Sequence, residues 1–186
     1  MTNNSSYNQD IVLKVPSQED INKKASGMML TLFKNMVKAN GDKPYSIDSD
    51  LELPYYELHS IGNLISVSGD FHLLLPSELK PMKVKNLGSL KFVGKDVDVC
   101  NSDIESLGDL EVVNQDLGIM NCPNITTLGK LKYIGGELWA GESSLKSFGD
   151  LEYVGGDVFL ENTPISRMYS EQEIRKMVDI RGNIFL

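Results

Sequence analysis

The sequence predicts a mostly β protein: a right-handed parallel β-solenoid of coils about twenty residues long, with an N-terminal capping helix and a short helix inserted in the last coil. Three observations predict it. A tetrapeptide of the form apolar-Gly-x-Leu recurs at 61–64, 87–90, 107–110, 128–131 and 148–151. Three residues after each final Leu stands Val67, Val93, Val113, Ile134 or Val154, followed by a turn, an acid and an apolar-x-apolar run. The acids Asp50, Asp70, Asp96, Asp116, Glu137 and Asp157, with Asn183 in the same place, stand 20, 26, 20, 21, 20 and 26 residues apart.

From the N-terminus, residues 1–16 are polar and predict a flexible segment, and 17–46 a helix with its linker. Ser17 is the N-cap, with Asp20 three residues on as an imperfect capping box. Ile21, Met28, Met29, Leu32, Phe33, Met36 and Val37 supply an apolar helical face that ends near Asn40-Gly41. That face is expected to cover the open end of the first coil, with docking of a partner helix-on-surface as the alternative.

Residues 47–186 form the repeat domain. Each unit holds two short alternating runs, such as Leu90-x-x-Val93 and Val97-x-Val99, too short for helices. Stacking such units in parallel sheets places equivalent residues ~4.8 Å apart, with the apolar set inside. The two 26-residue intervals carry insertions, at 76–82 and 168–177. In the second, Ser170-x-x-Glu173 is a capping box for a helix of about two turns. The terminal strand, 183–186, has a free edge unless that helix, a second copy or a partner covers it.

Outward columns follow from the same register. Lys91, Glu111, Lys132 and Glu152 alternate in sign, as parallel neighbours should. Phe92, Val112, Tyr133 and Tyr153 stand beside them. Asn101, Asn121, Glu142 and Asn162 predict a ladder of amides bonding the backbone of the next turn. The position between the paired apolar residues reads Glu52, His72, Asp98, Gly118, Trp139, Phe159, Phe185. Polar residues in the N-terminal half give way to three aromatics.

This pattern resembles the leucine-rich-repeat and receptor-L-domain-like solenoids over roughly residues 47–186. The coils are shorter than ordinary leucine-rich repeats, which favours a flatter β-helix over a helix-backed horseshoe. The closing run from Asn162-Thr163-Pro164-Ile165-Ser166 through Tyr169–Arg175 to 181–186 is similar to uncharacterised repeat proteins of bacteriophage genomes. Both resemblances imply binding through surfaces, and neither supplies a catalytic residue.

Composition narrows the function classes. Acidic residues outnumber basic ones 26 to 18, a net charge of −8, which opposes sequence-independent nucleic-acid binding. An acidic protein can instead occupy a basic groove on another protein. No run approaches a membrane span, no leader of signal-peptide type opens the chain, and only two cysteines occur, so a cytoplasmic site is expected, the host cytoplasm if phage-encoded. Catalytic signatures such as Gly-x-Ser-x-Gly, His-Glu-x-x-His and Cys-x-x-Cys are absent. Gly88 to Asp96 only mimics a phosphate loop. His59 and His72 lack ligand companions, and Cys100 and Cys122 read as free thiols. The acid column reads as turn residues bonding nearby N–H groups, with calcium ligation as the alternative. The expected function is therefore a non-enzymatic protein-binding module, such as a phage-type effector or inhibitor of a host protein, without cofactor or metal. The alternative is a virion-associated or glycan-binding component. Trp139, Phe159, Phe185, Met120 and Asp98 are the expected contact residues, and a homodimer through the C-terminal edge is a further expectation. Whether the 170–177 helix covers the aromatics is left to the structure.

Overall fold

Pairs of strand residues separated by tight turns bury an apolar side only by lying against equivalent pairs, and the chain does this twice per coil. The computed structural model describes residues 18–41, 43–54, 58–74 and 84–186; the segment 1–16, Ser17 and the insertion at 76–82 lie outside them. Helix α1 (Gln18–Asn40) precedes fourteen short strands. These are β1 (Tyr45–Ile47), β2 (Leu51–Pro54), β3 (Leu64–Val67), β4 (Phe71–Leu74), β5 (Phe92–Val93), β6 (Val97–Asp98), β7 (Val112–Val113) and β8 (Leu117–Gly118). They continue as β9 (Tyr133–Ile134), β10 (Leu138–Trp139), β11 (Tyr153–Val154), β12 (Val158–Phe159), β13 (Asp179–Ile180) and β14 (Ile184–Phe185). Helices α2 (Pro164–Met168) and α3 (Glu171–Met177) lie between β12 and β13.

Odd-numbered strands build one seven-stranded sheet and even-numbered strands the other, each in sequence order and parallel throughout. The fold is mostly β and parallel β-solenoid-like. Strand pairing puts Leu51, Phe71, Val97, Leu117, Leu138, Val158 and Ile184 in one line, which is the register read from the acids. β1 joins the odd sheet, so strand structure starts at Tyr45, two residues before the expected boundary at 47.

Between the sheets runs one core. A single repeat contributes Leu107, Leu110, Val113, Leu117, Ile119, Cys122 and Ile125, all buried. Each coil turns into its odd strand through a side-chain oxygen two residues before a glycine: Ser60, Asn86, Ser106, Thr127 and Ser147 accept from Gly62, Gly88, Gly108, Gly129 and Gly149 N–H. All five glycines are left-handed, with φ between 57 and 65°.

The acid column holds successive coils together. Asp50 Oδ1 accepts the Asp70 N–H (3.0 Å), Asp70 the Asp96 N–H (3.1 Å), Asp96 the Asp116 N–H (2.9 Å) and Asp116 the Glu137 N–H (2.7 Å). Asp157 does the same for Asn183 (2.7 Å), whereas Glu137, one methylene longer, makes no such bond to Asp157. The carboxylate reaches so close that a Cβ on Gly136 would stand 2.0 Å from Asp116 Oδ1. These acids are turn residues, as the spacing suggests, but the N–H they satisfy belongs to the next coil.

Two expectations change. The buried face of α1 is Leu30 and Phe33 with half-buried Val37, while Met28 (60%), Leu32 (62%) and Met36 (39%) are exposed. At 100° per residue the two stripes lie roughly 130° apart, so the described part of the predicted face is two faces; the Ile21 and Met29 side chains lie outside the described ones. The asparagine column does not bond the next backbone. Asn101, Asn121, Glu142 and Asn162 are left-handed (φ 55, 54, 59 and 61°), and Asn121 Nδ2 donates to Asn101 Oδ1 (2.9 Å). Asn suits that conformation because its short polar side chain tolerates it. Of the alternating charges, Lys132 and Glu111 pair at 3.6 Å.

Two stability measurements check this account. Asp116→Ala removes the acceptor for the Glu137 N–H and is expected to cost about 1 kcal/mol in denaturant melts, whereas Asp116→Asn keeps an acceptor oxygen and stays within about 0.5 kcal/mol of the parent. Equal losses in the two variants would show that charge, not the hydrogen bond, matters. Glu142→Asn places the better residue at a left-handed position and should stabilise by about 0.5–1 kcal/mol; a lower melting temperature would contradict the strain argument.

Candidate functional site

In the even sheet, period-2 alternation sends Leu138 and Val158 fully inward and Trp139 and Phe159 outward. Because the strands are parallel and in register, identical outward positions meet face to face. Trp139 stacks on Phe159 with ring centroids 4.0 Å apart and planes 10° from parallel. Phe159 stacks on Phe185 at 4.7 Å and 5°. The three aromatics are thus one continuous strip, half-buried by mutual contact, and Phe185 remains 40% exposed.

The inserted helices do not occupy this strip. α2 starts with Thr163 as N-cap, its Oγ1 accepting the Ser166 N–H (3.2 Å), and Pro164 in the first turn. In α3, Ser170 N–H and Oγ both donate to Glu173 Oε2 (2.9 and 2.7 Å), holding that carboxyl below the usual range. Helix α2 stacks on the preceding arc, where Ile165 N–H donates to Leu145 O (2.9 Å), α3 packs beside β13, and the two seat Ile165 and Ile174 in the core. They close the connection between β12 and β13, beside a cavity of about 230 Å³ lined partly by Phe148, Tyr169 and Val178.

The other two expected contact residues sit apart from the stack. Met120, 40% exposed, follows β8 in the column beside the strip, one coil before Trp139. Asp98 shares the strip's column but lies two coils away, with Gly118 between, and its Oδ1 accepts the Cys100 N–H (2.9 Å). Gly118 is closely packed: a Cβ there would meet Cys100 Sγ at 2.9 Å. A second aromatic contact forms on the odd sheet, where Tyr133 stacks on Tyr153 (5.0 Å) and the Arg181 guanidinium lies 5.7 Å from the Tyr153 ring centre. The column was legible in the sequence, but the cation was not, because Arg181 arrives from beyond the inserted helices.

Groups with chemical potential are otherwise engaged. Burial, followed by Asp98, pushes the Cys100 thiol up to about 12, and burial raises Cys122 as well, so both stay protonated at neutral pH. His59 and Ser60 line a cavity of about 280 Å³ under α1, but Ser60 Oγ is accepting from Gly62. Among the described residues no three of His, Cys, Asp and Glu converge on a metal-sized site, and no helix is long and apolar enough to cross a membrane. No family model, curated protein or solved structure matches the chain.

Leu138 and Trp139 are adjacent in sequence and opposite in environment, so truncation separates them. Leu138→Ala leaves a core cavity and is expected to cost about 2–5 kcal/mol. Trp139→Ala loses one ring contact and should cost about 1 kcal/mol. Thermal melts of the two variants decide it, and a reversed order would invert the assignment of faces.

Proposed function

We propose that the outward face of the even sheet, centred on Trp139, Phe159 and Phe185 and flanked by Met120, docks a protein partner, and that the chain acts by binding and not by catalysis. The observation that carries this reading is the continuous aromatic stack left at the surface, with Phe185 40% exposed. Outward aromatics add little to a core, and aromatic clusters that stay accessible are the common centres of protein interfaces. Their arrangement argues against a glycan platform. Phe159 has both faces covered and Trp139 and Phe185 one each, which leaves only the two ends of the stack for a sugar to lie on.

Within this reading the coils are leucine-rich-like and wind right-handed, the hand that parallel crossovers adopt in nearly all sheets. A cytoplasmic effector or inhibitor of phage type, acting on a host protein, is the role consistent with the resemblance of the closing segment. Asp98, two coils from the stack, stands at the margin of the docking face. A second copy meeting at β14 is the competing occupant, and sedimentation of the purified protein distinguishes it.

The test compares capture of interacting protein by the parent, Trp139→Ala, Phe159→Ala and Tyr133→Ala, each first shown to melt as a folded protein. The two even-sheet variants are expected to lose binding on the order of thirtyfold, and Tyr133→Ala to keep it. Folded Trp139→Ala that binds as the parent does would sink the assignment.

A further inference from the structure

The acid ladder and the aromatic strip share a face. In each coil the acid stands two residues before the strip position: Asp116 before Gly118, Glu137 before Trp139, Asp157 before Phe159. Two residues on one strand point to the same side and lie about 7 Å apart. The acids belong to the same sheet pairing as the strip: Asp116, Glu137 and Asp157 O accept the Val97, Leu117 and Leu138 N–H of the preceding coil, each at 2.9 Å.

Most ladder carboxylates commit Oδ1 to the next coil and keep a second oxygen. The N-terminal half shows what such a pair of acids accepts. Lys95 Nζ seats between neighbouring rungs, 3.0 Å from Asp50 Oδ1 and 3.4 Å from Asp70 Oδ2. Lys95 occupies the position immediately before a ladder residue, which in later coils is Gln115, Gly136, Gly156 and Gly182. No cation replaces it: among the described residues no Lys or Arg is ion-paired with Asp96, Asp116, Glu137 or Asp157. Two of these unneutralised rungs, Glu137 and Asp157, stand beside Trp139 and Phe159, and Asp96 and Asp116 stand beside Asp98 and Gly118 in the two coils before them. Phe159 has both ring faces covered and Trp139 and Phe185 one each, so most of the strip offers apolar rims, and a positive head would be drawn to the carboxylates.

We propose that this face takes a basic, extended segment of a protein partner: Lys or Arg heads seat between successive acids from Asp96 to Asp157, as Lys95 does between Asp50 and Asp70, while their aliphatic stems lie along Trp139, Phe159 and Phe185. The inference rests on the reading of the strip as a docking surface and adds the chemistry of what docks. Long basic side chains suit it because an apolar stem and a charged head are addressed by adjacent columns. A second copy fits poorly, since two chains of net charge −8 would meet acid to acid. Nucleic acid fits worse, because its phosphates would face the ladder.

Trp139 is the only tryptophan, so its emission reports directly on the face. The probe is a tryptophan-free synthetic peptide of alternating arginine and leucine, titrated into the full chain, beside the same peptide with glutamine for arginine. The key variant is Asp116→Asn with Glu137→Gln, which keeps side-chain oxygens in the ladder while removing two charges. Its control, Glu105→Gln with Asp150→Asn, removes two charges elsewhere. The arginine peptide is expected to shift Trp139 emission, more weakly as salt rises; the ladder variant and the glutamine peptide should each bind at least ~tenfold more weakly, and the control variant within ~twofold of the parent. Equal weakening in both double variants, binding that leaves Trp139 emission unchanged, equal binding of the glutamine peptide, or no binding of the arginine peptide overturns the inference. The docking reading fails separately. If Trp139→Ala loses the captured partner and the ladder variant keeps it, the surface stands and its basic ligand does not.

Discussion

The hydrogen bond from one coil's acid to the next coil's backbone N–H governs much of this protein. A coil of about twenty residues with strands of two to four cannot bury its own apolar side, so every coil depends on its neighbour for a core. Backbone pairing alone would tolerate slippage, because two-residue strands offer little to discriminate one register from another. At five of the six steps between coils a carboxylate reaching to a single N–H at 2.7–3.1 Å removes that freedom. The same reach brings the Asp116 carboxylate to where a Cβ of residue 136 would be, so glycine fits there, while Lys95 and Gln115 hold the equivalent position in earlier coils beside the same bond.

Register then determines the surface. Parallel, in-register strands superimpose like positions, so three aromatics one coil apart become a stack, and two tyrosines on the other sheet do the same. Stacking covers ring faces and leaves rims, which shifts the surface from one suited to flat sugars toward one suited to aliphatic chains. Polar atoms show the same economy: no buried side-chain nitrogen or oxygen among the described residues lacks a partner. Variation is confined to the arcs. Helices α2 and α3 replace one arc, seat Ile165 and Ile174 where repeat residues would lie, and return the chain to the odd sheet in register at Asp179. An insertion can therefore be accepted without disturbing the strip.

The sequence by itself determined the stack. Its acid, apolar and glycine columns recur at fixed offsets, and a repeated local environment leaves no other common register, so the pairing of Leu51 through Ile184 and the alignment of Trp139, Phe159 and Phe185 were readable in advance. Only the tertiary structure decided the rest, and each case has the same cause. Periodicity separates the Met28, Leu32 and Met36 stripe of α1 from that of Leu30 and Phe33, but which of the two is buried depends on where the helix meets the first coils. That Asn101, Asn121 and Asn162 stand where they do for a left-handed backbone requires φ, which composition does not carry. Lys95 crossing back over two coils to Asp50 is a contact between residues 45 apart, and it is the departure from the repeat that identifies which rungs already hold a cation and which do not. Columns are a property of the repeat and appear in one dimension. Exceptions to the columns take their meaning from neighbours that only folding supplies.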